Sequence, residues 1–251
     1  MSNHVYHLTQ KHHSVRKFKS EKISRDVIQK LIEAGQMAST SSYLQTTSFI
    51  GVEDVEKKEA LKEVSGQPYV VDNGYLLVFV IDYYRHQLIN EFRGADMEGS
   101  FESAEGLLVG TVDAALAAQN IALTAEDMGY GIVYLGSLRN DVERVREILG
   151  LPEHTFPLFG MALGVPADDE EGMPKPRLPF EHVFHVDSYN DNKDEQMTHL
   201  KKYDDIVSNY YSQRTNGERD ETWSEQIARF MSSKQRQEML DWLQMSGFNK
   251  K

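Results

Sequence analysis

Two short segments of the chain carry residue types that could bind a phosphorylated ligand. In His12 to Phe18, two histidines, Arg16 and Lys17 lie within six residues, beside Ser14. Forked guanidinium and hydroxyl hydrogen bonds suit a phosphate group, although the same residues could form a solvated basic turn. In Lys175 to Pro179, two prolines stiffen a segment that carries two cations. This second segment could bind the edge of an anionic ligand, or it could be a bend of the chain at the surface.

Two further segments offer polar groups without charge. Four hydroxylated residues follow one another within Gln36 to Gln45, and such a run competes with regular backbone hydrogen bonding. It suits a loop around a polar ligand, or an ordinary serine-rich connector. Gln67 lies in a predicted turn, where its two-sided amide could recognise the edge of a heterocycle or satisfy the local backbone.

A glycine turn follows a short apolar strand. Residues 132–135 are β-branched, aromatic and aliphatic, which is typical of a buried strand, and Gly136 to Asn140 follow directly. Small residues at a strand end let a ligand lie against backbone N–H groups, but a purely structural turn has the same composition.

Apolar periodicity predicts the elements that position these segments. Leu107 to Met128 has apolar residues at three- and four-residue steps and predicts a long helix buried over most of its circumference. Tyr75 to Ile81 is a continuous apolar run, typical of a strand covered on both faces. The charged segment Glu53 to Val64 predicts a solvated helix, and the acidic segment Asp82 to Glu105 a mobile surface excursion. The polar tail from Val186 has helical spacing and more apolar residues than it can bury on itself, which favours packing across a partner subunit.

Composition restricts the class of protein. The chain has 251 residues, no cysteine and a formal net charge of −12, which argues against nucleic-acid and anionic-membrane partners. It has no apolar run of about 18 residues and no apolar signal core, so a cytoplasmic protein is expected. Rossmann, P-loop and hydrolase-elbow motifs are absent from the sequence. His182 and His185 lack a third ligand of suitable spacing nearby, and no metal site is predicted.

Taken together and in order, these segments resemble one family, the FMN-dependent nitroreductases of the NADPH-preferring, oxygen-insensitive subgroup. Within it, the chain is similar to the NADPH-dependent oxidoreductases of bacilli and staphylococci that reduce flavins and nitro compounds. The matching stretches are HHSVRKF at 12–18, ASTSSYLQ at 38–45, SGQPYV at 65–70, DAALAAQN at 113–120, GYGIVYLGSLRN at 129–140, PLFGMALG at 157–164, KPRLP at 175–179 and YYSQRTNGERDETWS at 210–224.

The resemblance implies an α+β fold in an intertwined homodimer, with a central mixed sheet flanked by helices. It implies an FMN-binding core over residues 1–185 and a helical C-terminal extension over 186–251 with dimer contacts and the NADPH site. The residues implied to bind FMN are His12, Ser14 and Arg16 on the phosphate side, Ser39, Thr40 and Ser41 from the neighbouring subunit, Gln67, Tyr134, Leu135, Gly136 and Ser137 near the ring, and Lys175 and Arg177. Arg214 and Arg219 match arginines that bind the NADPH 2′-phosphate.

The implied reaction needs no catalytic acid, base or thiol, because the flavin carries the redox chemistry. NADPH would transfer hydride to N5 of bound FMN, and flavins, nitro compounds or quinones would then be reduced in a ping-pong cycle. Lys175 would support the reduced flavin electrostatically. Two alternatives stay open: a flavin-binding protein without turnover, and a non-catalytic scaffold that binds partners through residues 186–251.

Overall fold

A computed structural model describes residues 3–233 and 235–250 of the chain. The chain forms two compact units, one comprising residues 1–172 with 238–251 and the other residues 173–237. The predicted boundary at residue 185 stays a prediction. The helices of the described residues are α1 (His4–Lys11), α2 (Arg25–Gln36), α3 (Val55–Ser65), α4 (Tyr84–Arg93), α5 (Glu98–Phe101), α6 (Ala104–Asp127), α7 (Val142–Leu149), α8 (Phe180–Val183), α9 (Lys193–Arg214), α10 (Trp223–Ser232) and α11 (Met239–Met245).

The first unit is built on a four-stranded sheet. Its strands are β1 (Thr47–Val52), β2 (Tyr75–Asp82), β3 (Gly131–Leu135) and β4 (Thr155–Gly164), in the order β1-β2-β4-β3. All three pairings between these described strands are antiparallel, so the prediction of a mixed sheet is wrong for them. The predicted α+β class is confirmed.

Helices cover both faces of this sheet, which explains the continuous apolar run of β2. Leu77 and Phe79 point into a core that includes residues of α2 and α6. Leu76 and Val78 point into a second core with residues of α3 and α7. An antiparallel strand covered on both faces therefore shows the unbroken apolar pattern that is more usual in parallel sheets.

Helix α6 crosses the first core and is the longest helix of the described residues. The Ser103 hydroxyl caps its first turn by accepting from the Gly106 N–H. A Cβ at Gly110 would lie 2.3 Å from the Ile81 side chain, so the small residue permits close packing on β2. By length and composition this helix could cross a membrane, yet much of it is buried in the core, as in soluble proteins.

The prediction that α6 is buried over most of its circumference is wrong. Leu108, Val112 and Leu116 are 61%, 53% and 45% exposed and lie at four-residue steps along one face. Helical spacing alone cannot distinguish an apolar face that packs on the same chain from one that does not. We call these three residues the α6 apolar stripe.

The segment predicted as a mobile surface excursion contains α4 and α5. Its mobility stays a prediction. Two aromatic residues anchor the segment: Tyr83 and Phe101 are buried, and their rings stack with centroids 5.8 Å apart. The Tyr83 hydroxyl also donates to the Gly106 carbonyl at 2.9 Å. Because the segment is rich in acidic residues, its sequence did not indicate that Tyr83 and Phe101 are buried.

The second unit is helical. Tyr203, Val207 and Tyr211 of α9 are buried in a small core that Trp223 of α10 also contacts. The Tyr203 and Trp223 rings meet edge to face with centroids 5.5 Å apart. The helical tail predicted from Val186 onward is therefore confirmed, although α11 belongs to the first unit, where Phe248 after it is fully buried.

Candidate functional site

The basic segment His12 to Phe18 lies beside β3. The Val15 N–H donates to the Ile132 carbonyl at 2.9 Å, and the Val15 side chain is buried. A Cβ at Gly131 would lie 2.5 to 2.9 Å from the Val15 side-chain atoms. Only glycine at the start of β3 therefore lets the basic segment approach so closely.

His12 is held by a carboxylate that the sequence reasoning missed. Its Nδ1 lies 2.5 Å from Oε1 of Glu126, near the end of α6, and the Glu126 side chain is largely buried. Glu126 and Asp127 are adjacent in α6 and point to different faces of the helix, so they do not form a carboxylate pair. Each instead pairs with a histidine, Asp127 with His4 at 2.5 Å. No sequence pattern signals a pair whose members are 114 residues apart.

Ser14 and Arg16 lie on the next part of the segment, which binds an acidic loop. Arg16 Nη1 donates to the Ser14 carbonyl at 3.2 Å. The N–H groups of Arg16 and Lys17 both donate to Oε2 of Glu170, at 3.2 and 2.8 Å. A hydrogen bond and charge attraction from Asp169 raise the pKa of the exposed Lys17 ammonium. Two successive backbone N–H groups of this segment thus bind one carboxylate, which is how backbone N–H groups bind anions in proteins.

The glycine turn forms a short 3-10 helix, Gly136–Asn140, directly after β3. A Cβ at Gly136 would meet no atom closer than the Arg139 guanidinium at 3.4 Å, which is an ordinary contact distance, so the backbone here is not closely covered. The Arg139 guanidinium itself donates to the Leu158 carbonyl. The Ser137 and Ser65 hydroxyls hydrogen-bond at 2.6 Å. This contact ties the turn to the end of α3, two residues before Gln67.

Tyr134 and Leu135, at the end of β3, contribute differently. The Tyr134 ring packs edge to face on Phe159 and remains partly exposed, and burial of its hydroxyl, with the nearby Glu126 charge, raises the pKa of Tyr134. Its hydroxyl therefore stays a neutral donor. The Leu135 side chain is buried, so only its backbone can face a ligand.

The hydroxyl run is held by a buried acid on α6, Asp113. Its carboxylate accepts from the Ser41 N–H at 3.0 Å and the Thr46 hydroxyl at 2.9 Å. Ser42, Tyr43 and Gln45 have positive φ angles, which costs free energy for residues with a side chain. In the described ranges, no hydrogen bond joins Ser39, Thr40 or Ser41 to the basic segment or to the glycine turn.

The remaining predicted residues belong to the second unit. A cavity of about 590 Å³ there is lined by Lys175, Arg177 and the aromatic residues of α9 and α10. Arg177 Nη1 donates to the Lys175 carbonyl at 3.0 Å, and Arg214 Nη1 donates to the Tyr210 hydroxyl at 3.3 Å.

Arg219 is the most constrained of the predicted NADPH ligands. Its guanidinium lies 3.8 Å from the centroid of the Tyr211 ring. It also pairs with the Glu221 carboxylate at 2.6 Å, which Arg229 shares. Arg214, which has no carboxylate partner in the described part of the chain, is therefore the more available of the two arginines.

The residue types along β3 fit FMN. Arg16, Ser14 and His12 supply charged and polar groups for a phosphate, and the backbone at Gly136 is not closely covered. Sequence reasoning named these residues, but it missed Glu126 and Glu170, which bind His12 and the backbone of Arg16. It also missed Asp113, which holds the hydroxyl run.

Comparison with known proteins identifies the family of the chain. Residues 9–165 match the Nitroreductase family and residues 175–251 match the Nitroreductase family, C-terminal domain. The chain is 71% identical to an NADPH-dependent oxidoreductase of Staphylococcus saprophyticus over 251 residues, all of both chains. It is 64% identical to one of Staphylococcus aureus over 98% of both.

Solved structures give the same result. NfrA1 of B. megaterium is 43% identical to this chain, with a TM-score of 0.96 over 99% of this chain and all of that one. The NADPH:FMN oxidoreductase of Vibrio harveyi, solved with NAD+, is 37% identical, with a TM-score of 0.87 over 99% of this chain and all of that one. The chain belongs to the nitroreductase family.

Proposed function

We propose that the protein binds FMN along β3 and uses it to pass electrons from NADPH to small acceptors. The enzyme class, an NADPH-dependent oxidoreductase of the nitroreductase family, is confirmed by the relatives, as are FMN and NADPH as cofactor and co-substrate. One observation carries the proposed location: the basic segment is bonded to β3 at Ile132, and the glycine turn begins where β3 ends.

The residues along β3 have separate proposed roles. Arg16 and Ser14, with His12 oriented by Glu126, bind the phosphate and its neighbouring hydroxyls. The backbone at Gly136 and Ser137 faces the ring, with Gln67 and the Tyr134 ring beside it. When bound, FMN supplies the redox chemistry, and the protein binds, orients and stabilises charge.

Four charged residues of the second unit have proposed roles toward FMN and NADPH. Lys175 stabilises negative charge on the reduced cofactor, with Arg177 as a further cation. Arg214 binds the NADPH 2′-phosphate, and Arg219 supports it from its position against Tyr211 and Glu221. Ping-pong kinetics follow if NADPH and the acceptor use the same face of the site in turn. Free flavins, nitro compounds and quinones are the proposed acceptors.

A homodimer is also proposed. The α6 apolar stripe leaves three large side chains exposed in one chain, and burying them against a second copy would be favourable. Asp113, on the same helix, holds the hydroxyl run that would serve the partner's site. The cytoplasmic location stays a prediction.

An anaerobic titration tests the proposed function. The purified yellow protein is mixed with NADPH and the flavin absorption band is followed in a stopped-flow instrument. We expect the band to bleach, and to return when a nitro compound or free FMN is added. A protein that retains FMN but does not bleach is a flavin binder without turnover, and a colourless protein that takes up no FMN refutes the proposal.

A further inference from the structure

A second cleft of the first unit lies outside the proposed cofactor site. It has a volume of about 900 Å³ and is lined by residues of α2 and α3 and of the segments that flank β1 and β2. Ile28 and Ile32 of α2 give it an apolar wall, and Lys58 and Tyr75 give it a polar one. None of the predicted flavin or NADPH ligands lines this cleft.

Three cations line the cleft without a counter-ion. Lys22, Arg25 and Lys58 have no carboxylate oxygen within 4.0 Å among residues 3–233 and 235–250. The carboxylates that line the same cleft are Glu33 and Glu53. Glu53 accepts from the Tyr75 hydroxyl at 2.9 Å. Three cations against two carboxylates leave a net charge of +1, in a chain whose net charge is −12.

Lys58 is the unusual member of this group. Its side chain is on the helix that sequence reasoning treated as solvated, yet the residue is only 4% exposed. Its ammonium donates to Oδ1 of Asn73 at 3.0 Å, the one hydrogen bond it makes in the part of the chain that the structure describes. An ammonium has three donors, so two of its N–H groups have no acceptor among the described residues. A buried charge in this state costs free energy unless a partner joins it.

Lys22 also bonds to Asn73. Its ammonium donates to the Asn73 carbonyl at 3.3 Å. The Asn73 amide is fixed in turn by bonds from Nδ2 to the Tyr69 and Val70 carbonyls, both at 2.8 Å. Burial and the nearby Lys22 charge lower the pKa of Lys58 to about 8. The neutral residue Asn73 thus binds two mutually repelling ammonium groups next to an open cleft, Lys58 through its side-chain amide and Lys22 through its backbone carbonyl.

We infer that this cleft binds a small organic anion whose carboxylate or phosphate group is held by Lys58, Lys22 and Arg25 and whose apolar part lies along Ile28 and Ile32. The anion would supply the acceptors that the Lys58 ammonium lacks and offset its repulsion with Lys22. The apolar wall selects a ligand with a hydrophobic body over a bare inorganic ion. The cleft volume is ample for a molecule the size of an aryl phosphate.

Isothermal titration of the full-length, FMN-loaded protein with phenyl phosphate tests the inference. Saturating NADP+ is present, so that the probe cannot report binding at the nucleotide site. We expect one saturable site per chain. A parallel titration with benzoate distinguishes a carboxylate ligand from a phosphate ligand, and inorganic phosphate should bind more weakly than phenyl phosphate because it lacks the apolar part.

Three variants assign the binding to the cleft. Lys58→Met should weaken phenyl phosphate binding by at least about tenfold, because it removes a charge-assisted hydrogen bond. Lys57→Met, at the exposed neighbouring position on α3, should leave the affinity within about twofold, since exposed charges contribute little. Lys22→Gln, at an exposed position, should weaken binding by several-fold and decides the matter if Lys58→Met does not fold.

Two results would overturn the inference: no saturable binding of either probe, or the same affinity in the parent, Lys58→Met and Lys22→Gln. Flavin absorbance and NADPH oxidation are recorded on the same samples. If a variant no longer binds the probe but keeps normal flavin chemistry, the result bears on the cleft and not on the proposed function. If the protein contains no flavin, the result bears on the proposed function and not on the cleft.

Discussion

The basic segment at β3 and the cleft at Lys58 both gather cations in an acidic protein, but they differ in how those cations are compensated. In the basic segment, His12 pairs with Glu126 and Lys17 with Asp169. In the cleft, the only hydrogen bond of the Lys58 ammonium within residues 3–233 and 235–250 is to the neutral Asn73. The comparison shows that a cluster of charged residues in a sequence does not reveal whether the fold has already neutralised it.

The largest effect is expected at the cleft, in the pH dependence of stability. Lys58 has a folded-state pKa of about 8 against an ordinary value of 10.5. A lowered pKa of a base means that the unfolded state binds more protons between these values, so stability rises with pH. Relative to Lys58→Met, the parent should gain up to about 3 kcal/mol of unfolding free energy as the pH rises from about 8 to 10.5.

Urea unfolding at several pH values measures this difference. The groups that face Lys58 are Lys22, Arg25, Glu33, Glu53 and Tyr75. Burial and the bond to Glu53 raise the pKa of Tyr75 to about 12, so it stays neutral in this window. If the parent and Lys58→Met differ in unfolding free energy by the same amount at every pH, Lys58 is not a buried, uncompensated cation. The contrast between the two regions would then disappear.

The next effect concerns the attachment of the basic segment to β3. Gly131→Ala places a Cβ against the buried Val15 side chain and should destabilise the protein by about 1–3 kcal/mol. It should also weaken FMN binding, because the segment that carries Arg16 must move. The double variant with Val15→Ala restores space. If the two substitutions are simply additive in urea unfolding, Gly131 and Val15 do not control the position of the segment.

A smaller effect tests the compensation within the basic segment. Glu126→Ala removes the largely buried partner of His12 and should cost about 1–2 kcal/mol, as expected for a charge-assisted hydrogen bond. Asp127→Ala removes the exposed partner of His4 and is the matched control, with an expected cost below about 0.5 kcal/mol. Thermal unfolding of both variants gives the comparison. Equal costs would mean that the His12 pair is no more than a surface contact.

The smallest effect is expected for Lys17→Ala. The Lys17 pair with Asp169 is fully exposed, and water and salt screen it. We expect no measurable shift in the urea midpoint at physiological salt, and FMN affinity close to that of the parent. A clear shift would show that this exposed pair anchors the acidic loop to the basic segment.

Local sequence patterns predicted much of the fold. The strand at Tyr75 and the long helix α6 each follow from the apolar pattern of the element itself. The basic segment and the glycine turn were also located, because their residue types lie close together in the chain.

Long-range pairing was beyond the sequence. Glu170 binds the backbone of Arg16 from 154 residues away, and Glu126 binds His12 from 114 away, so only the topology brings them together. Lys58 was treated as solvated because α3 is rich in charge, whereas in the fold it is buried and bonded to Asn73, which lies 15 residues further along the chain. The α6 apolar stripe has the periodicity of a core face, and the sequence could not indicate that it stays exposed in one chain.

The affinity for FMN of two variants, Arg16→Ala and Lys22→Ala, tests the central claim most directly. Each variant removes one cation from one of the two regions. Arg16→Ala should weaken FMN binding by at least about tenfold, because a charge-assisted bond to the phosphate is lost. Lys22→Ala should leave it within about twofold, as its ammonium lies at the other cleft. Quenching of flavin fluorescence in titrations of the apoprotein measures both. Equal losses, or a larger loss for Lys22→Ala, would contradict an FMN site along β3.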